Sequence, residues 1–199
     1  YTHPEKLASN NSGTSLTESN LKLWYPMNEG NPRSPQTTVY DATPRQLGDN
    51  LVPNNDFETV SSGTTLSDWS VAYGTGLRGD TYVQSGSYAG RIHTATSNGM
   101  RFEKGLTNLK SGAVYYLSGY IRTINKINNY PYIAFNNWAS IQLAATSASE
   151  SDWEFVEGYI TAEATSGNLY LYSGASTANA TEVWFDNITV KQILGQNHG

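Results

Sequence analysis

The 199-residue sequence contains no cysteine, which excludes disulfide bonds and thiolate metal sites. It also has no run of basic residues, and its formal net charge is −5. Nucleic-acid binding is therefore not expected, because contacts with phosphates need clustered lysine and arginine. No apolar stretch approaches the length of a membrane span or of a signal-peptide core, so the sequence predicts no membrane insertion.

Charged residues make up only 15% of the chain, and glycine, serine, threonine and asparagine take their place. This composition is typical of an all-β protein with many turns. From residue 50 onward, turn signals recur about every ten residues, which is the spacing of a β-sandwich. The sequence also has 14 tyrosines and 5 tryptophans. Because a core of this size needs fewer rings, we expect some on a binding face or a subunit interface.

The chain changes character near residue 50. Residues 1–20 are polar and aperiodic, as in a linker or a loosely docked arm. Two short apolar runs follow, at 21–25 and 37–40, and two such strands cannot bury a sheet face alone. We therefore predict an extended N-terminal arm over residues 1–49, which either packs on the sandwich or pairs with another chain. Residues 50–199 are predicted to form a two-sheet antiparallel β-sandwich.

Two segments far apart in the chain are predicted to close this sandwich. The segment NLVPNNDFE, residues 50–58, is interpreted as a short opening strand with a turn at its asparagines. Proline lacks an amide hydrogen, so Pro53 restricts it to an edge strand or a strand start. The segment VWFDNITV, residues 183–190, has the composition of a closing strand. Pairing of the two would point Phe57 inward and bring Glu58 near Asp186.

The strand around residues 115–122 alternates in character. Tyr115, Leu117 and Ile121 share one face, which is predicted to be core, and the intervening residues share the other. We predict that this second face and the following hairpin form a cleft that binds sugars, because flat rings cover apolar C–H faces while Arg and Gln bond the hydroxyls. Its predicted ligand-binding residues are Tyr120, Arg122, Tyr132, Trp138 and Gln142. Each ring could equally belong to the core or to an interface, and Trp69, Trp153 and Trp184 are assigned to packing.

Five motifs in order carry a resemblance to a known family: NLVPNNDFE, SGSYAGRIH, GAVYYLSGYIRT, WEFVEGYIT and VWFDNITVKQI. Their order and spacing resemble the jelly-roll carbohydrate-binding modules of xylanases and cellulases (the family 4/9 type), over residues 50–194. Upstream, LWYPMNEG and TTVYDAT are similar to the opening strands of laminin-G-like domains.

The resemblance implies a structural calcium ion. Its ligands would be Glu58 and Asp186, helped by backbone carbonyls near residues 87–89. Hard oxygen donors from distant strands suit Ca²⁺. The alternative is that Glu58 and Asp186 are ordinary rim residues that cap turns.

The predicted function is non-catalytic binding of an oligo- or polysaccharide, outside the cell or on a virion surface. The alternative is a structural subunit of a virion, tail fibre or surface adhesin, which contacts other subunits through residues 1–49. No catalytic residue is predicted: the three histidines are scattered, and most of the acidic residues at 150–157 are expected to face solvent on an alternating strand.

Overall fold

A computed structural model describes residues 46–94, 100–124, 130–136, 141–146, 152–174 and 181–194. These residues form thirteen β-strands, and none of them lies in a helix that could cross a membrane. From residue 47 onward they belong to a compact unit that spans Leu47–Gly199. The predicted arm up to residue 45, including the laminin-G-like segments, lies outside the described residues, as does Trp138.

The strands, in chain order, are β1 (Gln46–Asn50), β2 (Val60–Ser62), β3 (Thr65–Leu66), β4 (Ser70–Ala72), β5 (Thr75–Gly79), β6 (Ala89–Thr94), β7 (Arg101–Leu106), β8 (Val114–Ile124), β9 (Tyr132–Asn136), β10 (Gln142–Ala144), β11 (Glu154–Thr161), β12 (Gly167–Tyr172) and β13 (Thr181–Leu194).

Two large sheets form the layers of a sandwich. The six-stranded sheet has the order β11-β8-β13-β6-β5, with β1 also paired to β13, and the five-stranded sheet has the order β10-β9-β12-β7-β4. The pairings within these two paths are antiparallel, and β2 and β3 form a small separate ribbon. The prediction of an all-β, two-sheet antiparallel sandwich is therefore confirmed.

Alternating side chains from both sheets build one core between the layers. On β8, Tyr115, Leu117 and Ile121 are at most 1% exposed, as the alternation predicted. They belong to the same hydrophobic cluster as Ile133 of β9 and Leu171 of β12. Since β8 and β9 belong to different sheets, this cluster is what holds the two layers together.

The opening strand is not where the sequence predicted it. The strand that takes the predicted place of the opening strand beside β13 is β1, which ends at Asn50. Residues 53–57 form a turn. The Leu51 N–H donates to the Val190 carbonyl, and Gly48 lies beside Gln192, so β1 and β13 run in opposite directions. Pro53 and the Asx side chains explain the shift, because both favour a turn over a ladder.

The turn delivers Phe57 to the core, as predicted. Phe57 adopts a left-handed backbone conformation, with φ of 59°, and its side chain is fully buried. Its ring stacks on Trp69 at a centroid distance of 5.4 Å and packs on Phe102 at 5.8 Å. The turn that ends at Phe57 therefore places the side chain of this residue in the core.

The predicted hairpin after residue 131 is formed by β9 and β10, which pair antiparallel with Gln142 opposite Ala134. Its second strand begins at Gln142 rather than at residue 138. The connection is therefore longer than the two-residue Asn-Asn turn that the sequence indicated.

Candidate functional site

The outer face of the five-stranded sheet carries a line of tyrosines. The segment NLYLY of β12 alternates, so Leu169 and Leu171 enter the core while Tyr170 and Tyr172 lie on the opposite face, where Tyr170 is only 7% exposed. Antiparallel pairing places Tyr132 of β9 and Arg101 of β7 on either side of Tyr172. Three neighbouring strands thus contribute to one surface.

The rings and the guanidinium group on this surface are in contact. Tyr132 and Tyr172 stack with their centroids 4.6 Å apart and their planes at 26°, and Tyr170 meets Tyr172 edge-on at 5.6 Å. The Arg101 Cζ lies 4.7 Å from the Tyr170 centroid, 5.1 Å from that of Tyr172 and 5.3 Å from that of Tyr73. Gln142 follows at the edge, in register with Ala134 beside Tyr132. We call Arg101, Tyr132, Gln142, Tyr170 and Tyr172 the tyrosine–arginine face.

The charges of this face are balanced. Arg101 forms an ion pair with Glu103, two residues along the same strand. Burial raises the pKa of Tyr172 and of Tyr132 above the ordinary value of 10, while the Arg101 charge opposes the rise in both. Both phenols are therefore neutral at physiological pH and can donate as well as accept hydrogen bonds. A surface of this kind offers flat apolar areas bordered by polar atoms.

A second cluster forms where two carboxylates hold the loop between β5 and β6. The Glu58 Oε1 accepts hydrogen bonds from the N–H groups of Ser87 and Tyr88, at 2.7 and 2.9 Å. The Asp186 Oδ2 accepts those of Gln84 and Ser85, at 3.0 and 3.1 Å. The two residues predicted as calcium ligands therefore accept hydrogen bonds from neighbouring backbone amides of one loop, which we call the 80–88 loop.

Asp186 is fully buried at a β-bulge of β13. Burial raises the pKa of its carboxyl from 3.8 to about 6; its backbone hydrogen bonds with Ser85, Asn187 and Gln84 oppose this rise, and the charge of Asp56 adds to it. A cation bound here would lower the free-energy cost of burying the charged Asp186 carboxylate, because it stabilises the charged form.

The donor set suits Ca²⁺ only in part. Two carboxylates are available, and the N–H groups of residues 87 and 88 donate to Glu58. Within the described ranges, no third histidine or acidic side chain forms a cluster with these two carboxylates. A cation would therefore need backbone carbonyls and water to complete its coordination.

Solved structures share this architecture. The sandwich is similar to the CBM22-1 xylan-binding domain of Paenibacillus barcinonensis Xyn10C, with a TM-score of 0.53 and 18% identity over 73% of this chain and 96% of that domain. The chain has the fold of a jelly-roll carbohydrate-binding module. TmCBM61, solved with β-1,4-galactotriose, matches with a TM-score of 0.51 and 16% identity over 72% of this chain and 98% of its own.

A further similar structure is the tailspike protein 4 of bacteriophage CBA120. The TM-score is 0.52 and the identity 14%, and the match covers 72% of this chain but 21% of the tailspike chain. No protein-family model and no curated protein matches the sequence. The TM-scores show a common fold, and at these identities the similarity shows the fold alone.

The jelly roll separates residues that the sequence analysis placed in one cleft. Tyr132 and Gln142 lie on the tyrosine–arginine face, but Tyr120 and Arg122 lie on β8, on the outer face of the other sheet. A single cleft that combines all of them is therefore not formed, because β8 and β9 enter different layers. Trp138 lies outside the described residues, and the role of each residue in binding stays a prediction.

Sequence reasoning missed Arg101, Tyr170 and Tyr172 as candidate site residues. The available signal was the alternation in residues 168–172, which puts both tyrosines on the face opposite Leu169 and Leu171. Arg101 has no comparable signal, because its importance comes from the pairing of β7 with β12. Of the tryptophans assigned to packing, Trp69 and Trp184 are 7% and 1% exposed.

Proposed function

We propose that this module binds an oligo- or polysaccharide on the tyrosine–arginine face, without catalysing a reaction. The observation that carries the proposal is the stacked pair of Tyr132 and Tyr172 on the outer face of the five-stranded sheet, with Arg101 beside it. The xylan-binding domain and the galactotriose complex that share the fold support the choice of ligand class.

Sugar rings present apolar C–H faces surrounded by hydroxyl groups. A tyrosine ring covers such a face, and its neutral hydroxyl remains available for hydrogen bonds. Arg101 and Glu103 add donors and acceptors beside the rings, and Gln142 adds both at the exposed edge. Neutral glycans fit this surface because its charges are already paired and its rings are held by one another.

Isothermal titration calorimetry with neutral β-1,4-linked oligosaccharides tests the proposal, with xylo- and galacto-oligomers as probes. Tyr172→Ala is expected to weaken binding about five- to thirtyfold, because stacking and C–H contacts with one ring are worth ~1–2 kcal/mol. Tyr88→Ala is the matched control, since this tyrosine packs on Arg78 next to the six-stranded sheet. Equal affinity of Tyr172→Ala and the unmodified protein would refute the assignment of the face.

The non-catalytic role is supported by the acidic residues of β11. Glu154 and Glu157 are three positions apart on an alternating strand, so they point to opposite sides of the sheet. Glu154 accepts a hydrogen bond from the Thr146 N–H, and Glu157 accepts one from the Tyr116 hydroxyl. Two carboxylates of a glycosidase would instead face each other across the scissile bond. Release of reducing ends from the same oligosaccharides would contradict this part of the proposal.

We also propose that Glu58 and Asp186 bind a structural Ca²⁺ at the 80–88 loop. The buried, electrostatically unfavourable Asp186 carboxylate supports this proposal.

A role on a virion or other extracellular surface is the second candidate, and the fold shared with a bacteriophage tailspike favours it. In this role, the arm predicted over residues 1–49 would contact neighbouring subunits through the part that precedes β1, residues 1–45. Light scattering of the chain with and without these residues tests it: a larger assembly only for the full chain is expected, and identical masses would contradict it.

A further inference from the structure

The outer face of the six-stranded sheet carries a second set of rings, on the side of the sandwich away from the tyrosine–arginine face. The register of β8 and β11 places Phe155 opposite Tyr120 and Tyr159 opposite Tyr116. The ring centroids are 5.0 Å apart in the first pair and 5.6 Å in the second. Phe155 and Tyr159 are 46% and 51% exposed. We call these four residues the aromatic band.

A cationic side chain lies at each end of the aromatic band. Arg122 follows Tyr120 on the same face of β8, and its guanidinium Cζ lies 4.1 Å from the centroid of Tyr82 in the 80–88 loop. The Arg122 Nε is buried, and neither a hydrogen bond nor an ion pair holds this guanidinium within the described part of the chain. Lys191 is opposite Tyr116 at the other end, and it too has no ion pair among the described residues.

The carboxylates on this face already have partners. Glu157, in the centre of the band, accepts a hydrogen bond of 2.6 Å from the Tyr116 hydroxyl. Near the Arg122 end, Glu182 bonds to Arg91 and to the Trp184 Nε1. Asp186, in register with Tyr120, is buried beneath the amides of the 80–88 loop. Glu182 and Asp186 are thus engaged within the protein, whereas Glu157 keeps a negative charge at the exposed centre of the band. A sugar carboxylate is therefore expected only at the Arg122 and Lys191 ends.

We propose that the aromatic band and Arg122 form a second glycan-binding site, specific for chains that carry carboxylates, such as uronic acid oligomers. The two ring pairs are four residues apart along β8, about 13 Å at the rise of a strand. Glu157 lies between them at the surface, so the ring platforms alternate with a polar group as the C–H faces and hydroxyls of a glycan do. A sugar carboxylate would accept hydrogen bonds from the terminal nitrogens of Arg122, since its Nε is buried.

An acidic glycan fits this surface better than a second copy of the chain does. The centre of a protein interface is depleted of charge, whereas the centre of the aromatic band is the exposed Glu157. The site differs from the tyrosine–arginine face in position and in ligand class, and it does not depend on the function proposed for that face.

Calorimetry with oligogalacturonate tests the proposal, with the same oligomer in its fully methyl-esterified, uncharged form as the matched probe. We expect the acidic form to bind and the ester to bind at least about tenfold more weakly. Arg122→Gln is expected to lose the same factor, whereas Lys110→Gln, which removes one exposed positive charge outside the band, is expected to bind normally. Tyr159→Ala removes a ring that is 51% exposed, so it tests the band in a variant whose folding is secure.

The outcomes separate the two sites. Loss of oligogalacturonate binding in Arg122→Gln and Tyr159→Ala, but not in Tyr172→Ala, supports a second site. Equal affinity for the acid and its ester would overturn the assignment to acidic glycans. Loss only in Tyr172→Ala would locate all binding on the tyrosine–arginine face and overturn the second site alone. Self-association that Phe155→Ala abolishes, without oligogalacturonate binding, would show instead that the band joins two copies of the chain.

Discussion

Phe57 is the side chain whose removal tests the architecture most directly. It is fully buried, and its ring contacts those of Trp69 and Phe102. A buried phenylalanine replaced by alanine typically costs about 3–5 kcal/mol, and the aromatic contacts place this case near the middle of the range, at about 4 kcal/mol. Phe155→Ala is the control, because a ring that is 46% exposed should cost less than about 1 kcal/mol.

The backbone of Phe57 allows a second test. A left-handed conformation costs a non-glycine residue roughly 1–2 kcal/mol, and glycine avoids this cost. Glycine usually destabilises a structured position by about 0.5–1 kcal/mol relative to alanine. At a φ of 59° this order should be lost or reversed, so Phe57→Gly is expected to be at least as stable as Phe57→Ala.

Urea unfolding followed by circular dichroism measures these free energies. The neighbouring Gly90 provides a double-mutant cycle, since a Cβ there would lie 2.5 Å from the Phe57 ring. Gly90→Ala alone should cost about 1–3 kcal/mol through overpacking, and much less in the Phe57→Ala background. A loss below about 1 kcal/mol in Phe57→Ala, or full additivity with Gly90→Ala, would refute the packing described for this residue.

Three further predictions concern the carboxylates and one turn. Ca²⁺ is expected to raise the melting temperature relative to EDTA, and Glu58→Gln should reduce this shift; equal melting temperatures with and without Ca²⁺ in the unmodified protein would argue against the site. In EDTA, the raised pKa of Asp186 should make its contribution to the free energy of unfolding largest below pH 4. This contribution should fall by a total of about 3 kcal/mol as the pH rises through about 6, since the pKa shift is roughly two units. Urea unfolding between these pH values should show a flatter pH dependence for Asp186→Asn than for the unmodified protein. Gly174→Ala should destabilise more than Gly63→Ala, although both glycines have positive φ, because only the Gly174 Cβ would meet the Tyr130 carbonyl; equal thermal unfolding of the two variants would contradict this.

For strands with one buried side, the sequence predicted which residues face the core. Tyr115, Leu117 and Ile121 were identified as core from alternation alone, and the burial of β8 follows that pattern. Alternation, however, does not say which sheet a strand joins. Tyr120 and Tyr132 therefore seemed to share a cleft, although the crossover from β8 to β9 puts them in different layers.

The opening strand was misplaced for a related reason. Gln46–Asn50 is largely exposed and has no apolar alternation. Its contact with β13 includes the Asn50 side chain, which donates to the Ile188 carbonyl and accepts from the Val190 N–H, and no local pattern indicates such a contact. The more apolar segment after it contains Pro53 and Asn54, and these form the turn. The Asn54 side-chain amide donates to the carbonyls of Thr59 and Ser67, 5 and 13 residues away, and alternation of apolar residues could not indicate these bonds.

The antiparallel contact of β1 with β13 has a mechanical consequence. Because Gly48 lies beside Gln192 and Leu51 bonds to Val190, residues 46 and 194 lie at the same end of the ladder. Tension applied between these two points would open the contact in zipper fashion, one hydrogen bond after another, rather than shearing all of them together. The module should therefore peel at low force from its β1 edge while the paired β8–β13 centre stays intact, so a tethered copy would lengthen before it unfolds.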